Sequence, residues 1–248
     1  MKKIFLSLLL LHSFVFAGTV NVAVAANVSY AMDSLLKSFH KKHPNIQVQV
    51  SLGSSGKLTA QIKNHAPYDV FMSANMAYPS ALYKEGLTLG KPLIYAQGSL
   101  VLFSLKKRDF SQGIKLLKSS KIKRIAMANP KTAPYGKATQ EFLDNTKLYN
   151  SIKSKLIFGE SIGQTISYSV SAADMGFIAA SALHSPKMKR FKKGVNYIDL
   201  DNTLYTPISQ GVVLLKNTIQ NKDAELFYKF ILSTQAKEIF RHYGYNVK

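Results

Sequence analysis

Strand-like and helix-like runs alternate along almost the whole chain, in two successive blocks, and that alternation limits the folds open to it. Residues 20–26 form a short β-rich run. A helix follows in which Met32, Leu35, Leu36 and Phe39 make one apolar stripe at i, i+3, i+4 and i+7. His43-Pro44 ends it, because the residue before a proline is pushed out of the helical region. Residues 46–51 alternate like a strand, 58–63 resume a helix, 68–72 read as a buried strand and 79–84 as a short helix. After a long β-type segment, 93–105, interrupted at Gln97-Gly98, the pattern repeats: strand 124–128, helix 136–145, strand 156–159, helix 163–172, strand 176–179. A second β-type segment, 208–215, precedes two C-terminal helices, the first striped by Ala224, Phe227, Tyr228 and Ile231. The alternation predicts α/β architecture, with parallel sheets covered by helices on both faces. Two blocks joined by two extended segments predict two doubly wound lobes and a two-stranded hinge. Lobe 1 takes residues 18–93 plus 210–248 and lobe 2 takes 94–209. Ligands of such sheets sit at the carboxyl ends of strands beside helix N-termini, so the interlobe cleft is the expected site.

The N-terminus bears on the compartment. Met1-Lys2-Lys3 is basic, residues 4–11 are apolar, and Val15-Phe16-Ala17 puts small residues at the −3 and −1 positions before Gly18. Residues 1–17 therefore read as a cleavable export signal, with an apolar core too short to span a bilayer. The chain has no cysteine, hence neither disulfides nor a lipid-acceptor thiol, and a soluble periplasmic protein is expected. The formal charge is +20, and removal of Lys2 and Lys3 with the signal leaves +18. The lysines are scattered and no helix interleaves basic with aromatic residues, so solvated lysine faces are expected rather than a nucleic-acid surface. A general positive field would attract anions.

Four strand-to-helix turns could hold a ligand. The first is Ala25-Ala26-Asn27-Val28-Ser29, where Asn27 and Ser29 are both good N-cap types. The second, Gly53-Ser54-Ser55-Gly56-Lys57-Leu58, is small and rich in hydroxyls. Such a turn at a helix start offers free N–H groups and the positive end of the helix dipole to an anion. The third runs from Asn129 to Gly136, is stiffened by Pro130 and Pro134, and places Tyr135 at a helix mouth. The fourth is Gly159-Glu160-Ser161-Ile162-Gly163, where backbone N–H groups would be the useful donors. Helix capping and loop packing account for any one of these residues taken alone.

The residue types narrow the ligand. Hydroxyls, an amide and backbone N–H groups are neutral donors, and carboxylates are nearly absent, so a bound cation is poorly served. Neutral donors at helix starts suit a fully ionised oxyanion, each oxygen of which accepts without facing another acceptor. No direct ligands for a metal cation and no cofactor are expected. Ser54-x-x-Lys57 matches a serine–lysine hydrolase motif, but neither Ser-Asp-Asn nor Lys-Thr-Gly accompanies it. The Gly53 to Lys57 stretch lacks Walker-loop spacing, and His40, His43, His65, His184 and His242 have no metal-ligand spacing.

Taken in order, several stretches carry a resemblance. They are Ala25-Ala26-Asn27, the Gly53 to Leu58 turn, Ala66-Pro67-Tyr68-Asp69-Val70-Phe71-Met72-Ser73-Ala74 and Ala128-Asn129-Pro130 with Ala133-Pro134-Tyr135-Gly136. Gly176-Phe177-Ile178-Ala179 and the ending from Ala236 to Tyr245 complete the series. Over the whole mature chain the sequence resembles the periplasmic molybdate-binding proteins of ABC transporters, which have a type II periplasmic binding protein fold. The resemblance implies capture of molybdate, and tungstate with it, by a monomer that delivers the anion to an inner-membrane ABC permease with its ATPase. It implies no catalysis and no nucleic-acid partner. It also implies an oxyanion cage of Asn27, Ser55, Tyr135 and Ile162, supported by the turn residues Ala26, Val28, Ser54, Gly56 and Ser161. Many members have a ligand-contacting tyrosine where this chain has Ala179, and Tyr135 is expected to supply that phenol from the opposite side. The alternatives are another oxyanion, such as sulfate or phosphate, in the same architecture, or an exported hydrolase using Ser54 and Lys57.

Overall fold

The computed structural model describes residues 18–247; the expected export signal, 1–17, lies outside the described residues. The first block comprises β1 (Thr19–Ala25), α1 (Ser29–His40), β2 (Gln47–Gly53), α2 (Ser55–Lys63), β3 (Val70–Ser73), α3 (Ala77–Lys84) and β4 (Leu93–Gly98). The second block comprises β5 (Leu100–Phe103), β6 (Ile125–Ala128), α4 (Pro134–Asn145), α5 (Tyr149–Ile152), β7 (Leu156–Gly159), α6 (Ile162–Ser171), β8 (Met175–Ala179) and β9 (Tyr197–Asp199). The chain then returns through β10 (Ile208–Leu214) to α7 (Lys222–Ile231) and α8 (Thr234–His242).

Two five-stranded sheets result, ordered β2-β1-β3-β10-β4 and β7-β6-β8-β5-β9. The expectation of parallel pairing holds for β2-β1-β3 and β7-β6-β8. The crossing segments depart from it: β10 runs antiparallel to β3 and β4, and β5 antiparallel to β8 and β9. Each of these strands enters its sheet directly from the other lobe without a crossover helix, and antiparallel pairing needs no such helix. The long β-type segment breaks at Ser99, so β4 belongs to one sheet and β5 to the other. Ile208 pairs with Gly98, so the two interlobe crossings lie side by side.

Period-two burial explains how the first sheet is held. Val20, Val22 and Val24 of β1 point into a core with Leu35 and Phe39 of α1, Phe227 of α7 and Phe240 of α8. Ala23, between them in sequence, faces the other layer with Leu58 and Ile62 of α2. The second lobe has its own core, in which Phe103, Met127, Phe142 and Phe177 are buried. That cluster also takes in Ala25, Ala26 and Ala74 from the first lobe, so the two lobes are packed against each other across the cleft.

Candidate functional site

The register of the parallel pairs brings the four turns together. Ala25 pairs with Gly53 at the end of β1 and β2, and Asn27 and Ser55 each follow two residues later. In the other lobe Ala128 pairs with Gly159, after which the chain turns into α4 and α6. All four turns therefore leave the carboxyl ends of parallel strands. They also touch across the cleft: the Gly56 N–H donates to Thr132 O at 2.9 Å, and a Cβ placed on Gly163 would be 3.3 Å from that of Ala26. Gly56 must be glycine for this approach, since its own Cβ would lie 2.9 Å from Thr132 O.

Local capping sets which donors remain. Ser54 is extended (φ −70°, ψ 147°), and its Oγ accepts from Lys57 N–H to start α2. Ser161 does the same for Gln164 N–H at α6. α4 starts without a side-chain cap, with Pro134 in its first turn, where a missing N–H is no loss. Ser54 and Ser161 are thus helix caps. Ser55 and Ile162 occupy the first positions of their helices, where the N–H groups have no carbonyl one turn back. Ser55 is fully buried, and its Oγ accepts from the Ala74 N–H at 2.9 Å, leaving its own proton to donate. Ile162 packs its side chain into the second lobe's core while its N–H stands at the helix mouth. Val28 is likewise a core residue, of the first lobe.

Asn27 is fully buried in a 3-10 turn, Ala26–Val28, that leads into α1. Its side-chain Nδ2 donates to Gln210 Oε1 (2.7 Å) and to Tyr245 Oη (3.0 Å). Its carbonyl accepts from Tyr245 Oη (2.8 Å) and, across the cleft, from Ser181 Oγ (3.1 Å). The amide hydrogens are thus committed to the protein, and the Asn27 donor left for a ligand is its backbone N–H. Tyr95 Oη completes the network by donating to Gln210 Oε1 at 2.8 Å. Sequence reasoning does not single out Gln210, Tyr95, Tyr245 or Ser181 for the site. The available signal is one glutamine inside the apolar β10 run.

Tyr135 is buried, and its hydroxyl has no hydrogen-bond partner. Among the described residues the other buried side-chain polar atoms without partners are Asn27 Oδ1, Gln210 Nε2 and, elsewhere, Ser185 Oγ. Asn27 Oδ1 and Gln210 Nε2 belong to residues of the one network, and the Tyr135 hydroxyl flanks Gly98 together with Gln210 Nε2. Burial, with the neighbouring Tyr245, Tyr95 and Tyr205 phenols adding to it, holds the Tyr135 hydroxyl well above its ordinary range. Burial likewise pushes Tyr245 up to about 12, against hydrogen bonds that lower it. Both phenols are protonated donors at any physiological pH. Ala179 is fully buried in β8 opposite Leu100, with no hydroxyl to offer.

The site holds no ionised side chain, and the described residues contain no group of three His, Cys, Asp or Glu able to hold a metal ion. The nearest charges are at the rim, where Lys57 Nζ meets Glu160 across the cleft at 2.9 Å, both more than half exposed. With Ser54 capping a helix and Lys57 paired to Glu160, no nucleophile–base pair is formed there. The arrangement offers mainly neutral donors, which suit a group rich in acceptors.

Residues 20–246 match the family described as bacterial extracellular solute-binding protein. The chain belongs to that family. It is 35% identical over 234 residues to Molybdate-binding protein ModA of Azotobacter vinelandii, covering 94% of this chain and 91% of that protein. To the protein of the same description from Rhodobacter capsulatus it is 33% identical, covering 92% and 88%. The solved Azotobacter vinelandii periplasmic molybdate-binding protein superposes with a TM-score of 0.85 at 33% identity, covering 92% of this chain and 99% of that one. These relatives are solute-binding proteins and not enzymes. The fold alone does not select the anion: the sulfate-binding protein SubI of Mycobacterium tuberculosis has a TM-score of 0.72 at 13% identity, over 93% and 87% of the chains. Among the described residues no helix is long and apolar enough to cross a membrane.

Proposed function

We propose that this protein captures molybdate, and tungstate with it, between its lobes and delivers the anion to an ABC importer. The observation that carries the reading is the set of neutral donors at the four helix starts, with the buried Tyr135 hydroxyl lacking any protein partner. The full-length likeness to molybdate-binding proteins supports the choice of anion. The donors are the backbone N–H groups of Asn27, Ser55 and Ile162 and the hydroxyls of Ser55 and Tyr135. Asn27 and Ser55 come from one lobe and Tyr135 and Ile162 from the other, so an anion that bonds to all four favours the closed arrangement over an open one. Each charge-assisted bond contributes about 1.5–3 kcal/mol. Sulfate is discriminated by size. Monohydrogen phosphate is disfavoured by its proton, which the backbone N–H donors of the cage cannot accept. The expected setting is the periplasm, as a monomer without a cofactor, with an inner-membrane permease and its ATPase as partner.

Calorimetric titration of the purified protein with molybdate, tungstate, sulfate and phosphate tests this. The first two should bind far more tightly than the others. Tighter binding of sulfate than of molybdate would overturn the assignment.

A further inference from the structure

The direction of every hydrogen bond beneath the cage follows from one backbone carbonyl. Asn27 O can only accept, so Tyr245 Oη, 2.8 Å away, donates its proton there. With that proton committed, Tyr245 Oη accepts from the Asn27 amide at 3.0 Å, and the Asn27 atom facing it must be Nδ2. The same Nδ2 lies 2.7 Å from Gln210, so the Gln210 atom facing it must be Oε1. Tyr95 Oη then donates to Oε1 as well, at 2.8 Å. The remaining Gln210 atom is the NH2 group, buried without an acceptor.

That group lies near a second unpartnered atom, the Tyr135 hydroxyl. A Cβ placed on Gly98 would collide with Tyr135 Oη and stand 2.9 Å from Gln210 Nε2, so both atoms flank one point at the interlobe crossing. Gln210 reaches it from a bulge in β10, between Gln210 and Gly211, and Tyr135 from the mouth of α4 in the other lobe. Only a donor (Gln210 Nε2) and a group that both donates and accepts (Tyr135 Oη) meet there. The two are not hydrogen-bonded to each other without ligand, but a small closing shift would let Nε2 donate to the phenol oxygen while the phenol donates outward.

We infer that Gln210 is a positioning residue for anion selectivity: in the anion-bound state its Nε2 donates to Tyr135 Oη, a contact not made without ligand, so that the phenol presents only its proton to the oxyanion. This rests on the oxyanion-binding reading above and adds to it the residue that fixes the polarity of one wall. With its lone pair engaged by Gln210, Tyr135 cannot accept from a protonated oxyanion. A protonated competitor would then meet no acceptor on this wall.

The test is Gln210→Glu, which keeps an oxygen for Asn27 and Tyr95 and turns the Tyr135-facing group from donor to acceptor. Molybdate and phosphate affinities are measured calorimetrically at mildly alkaline pH, where phosphate is a dianion that keeps one proton. The added negative charge weakens both dianions alike, so the ratio of the two affinities isolates the change in polarity. The inference predicts that the molybdate-to-phosphate ratio falls at least ~10-fold in Gln210→Glu and changes no further when the same substitution is made in Tyr135→Phe. An unchanged ratio, or an equal fall in the Tyr135→Phe background, would overturn it. If Gln210→Glu does not fold, as judged by its ligand-free melting curve, Gln210→Met is used; molybdate affinity equal to that of the unaltered protein would then refute a positioning role. Absence of molybdate binding by the unaltered protein would instead refute the function proposed above, so the two failures are distinguishable.

Discussion

Ser55→Ala separates binding from folding at one atom. The Ser55 Oγ accepts from the Ala74 N–H at 2.9 Å, which leaves its own proton to donate, under the proposed function to the anion. Its removal leaves a buried N–H without an acceptor, which costs about 1–3 kcal/mol of stability even without ligand. For a chain of this size that lowers Tm by about 3–10 °C. Loss of the donor to a dianion removes a further ~1.5–3 kcal/mol of binding free energy, or a roughly ten- to hundredfold weaker Kd. The helix itself is spared, because Ser54 and not Ser55 provides the cap. Differential scanning calorimetry without molybdate and isothermal titration with it read the two effects on the same sample. A variant that melts lower yet binds molybdate with unchanged affinity would refute the assignment of the Ser55 proton to the anion.

Tyr135→Phe should act with the opposite balance. The hydroxyl has no protein partner, so its removal should leave the ligand-free Tm unchanged or raised while weakening molybdate binding about tenfold or more; unchanged affinity by calorimetry would take Tyr135 out of the cage. Gly98→Ala should weaken binding at least ~10-fold and abolish ligand-induced compaction in small-angle scattering, since its Cβ would meet Tyr135 of the other lobe; normal compaction would contradict this. Burial raises the Tyr245 phenol from 10.0 to about 12, so the folded state holds that proton more tightly than the unfolded one. Stability from this group is therefore complete below pH 10.0 and is lost as pH rises through about 12. Urea midpoints between pH 10 and 12 should fall less steeply in Tyr245→Phe, and an identical slope would contradict the burial argument.

Much of this architecture is legible in the chain because it is local. The Met32, Leu35 and Phe39 stripe, the break at Pro44 and the small residues of the Gly53 to Leu58 turn fix elements through neighbours a few residues away. Strand direction in the crossing segments is not legible in that way: an apolar run such as β10 looks the same whether parallel or antiparallel, and its pairing is set by where the chain re-enters the sheet. The site divides similarly. Asn27, Ser55, Tyr135 and Ile162 are marked by their turns, whereas the partners of Asn27 lie 183 and 218 residues away in Gln210 and Tyr245. The family resemblance read from sequence offers the Asn27 amide to a ligand, and the fold engages it through those distant residues instead.

Anomalous diffraction at the molybdenum edge, from crystals grown with molybdate, tests the central claim most directly. The account predicts one strong peak between the lobes, within hydrogen-bonding reach, through its oxygens, of Asn27, Ser55, Tyr135 and Ile162, with no ionised side chain in contact. A peak confined to another location, such as the polar surface cavity lined by Asn21, Asp69 and Asn221, would contradict it.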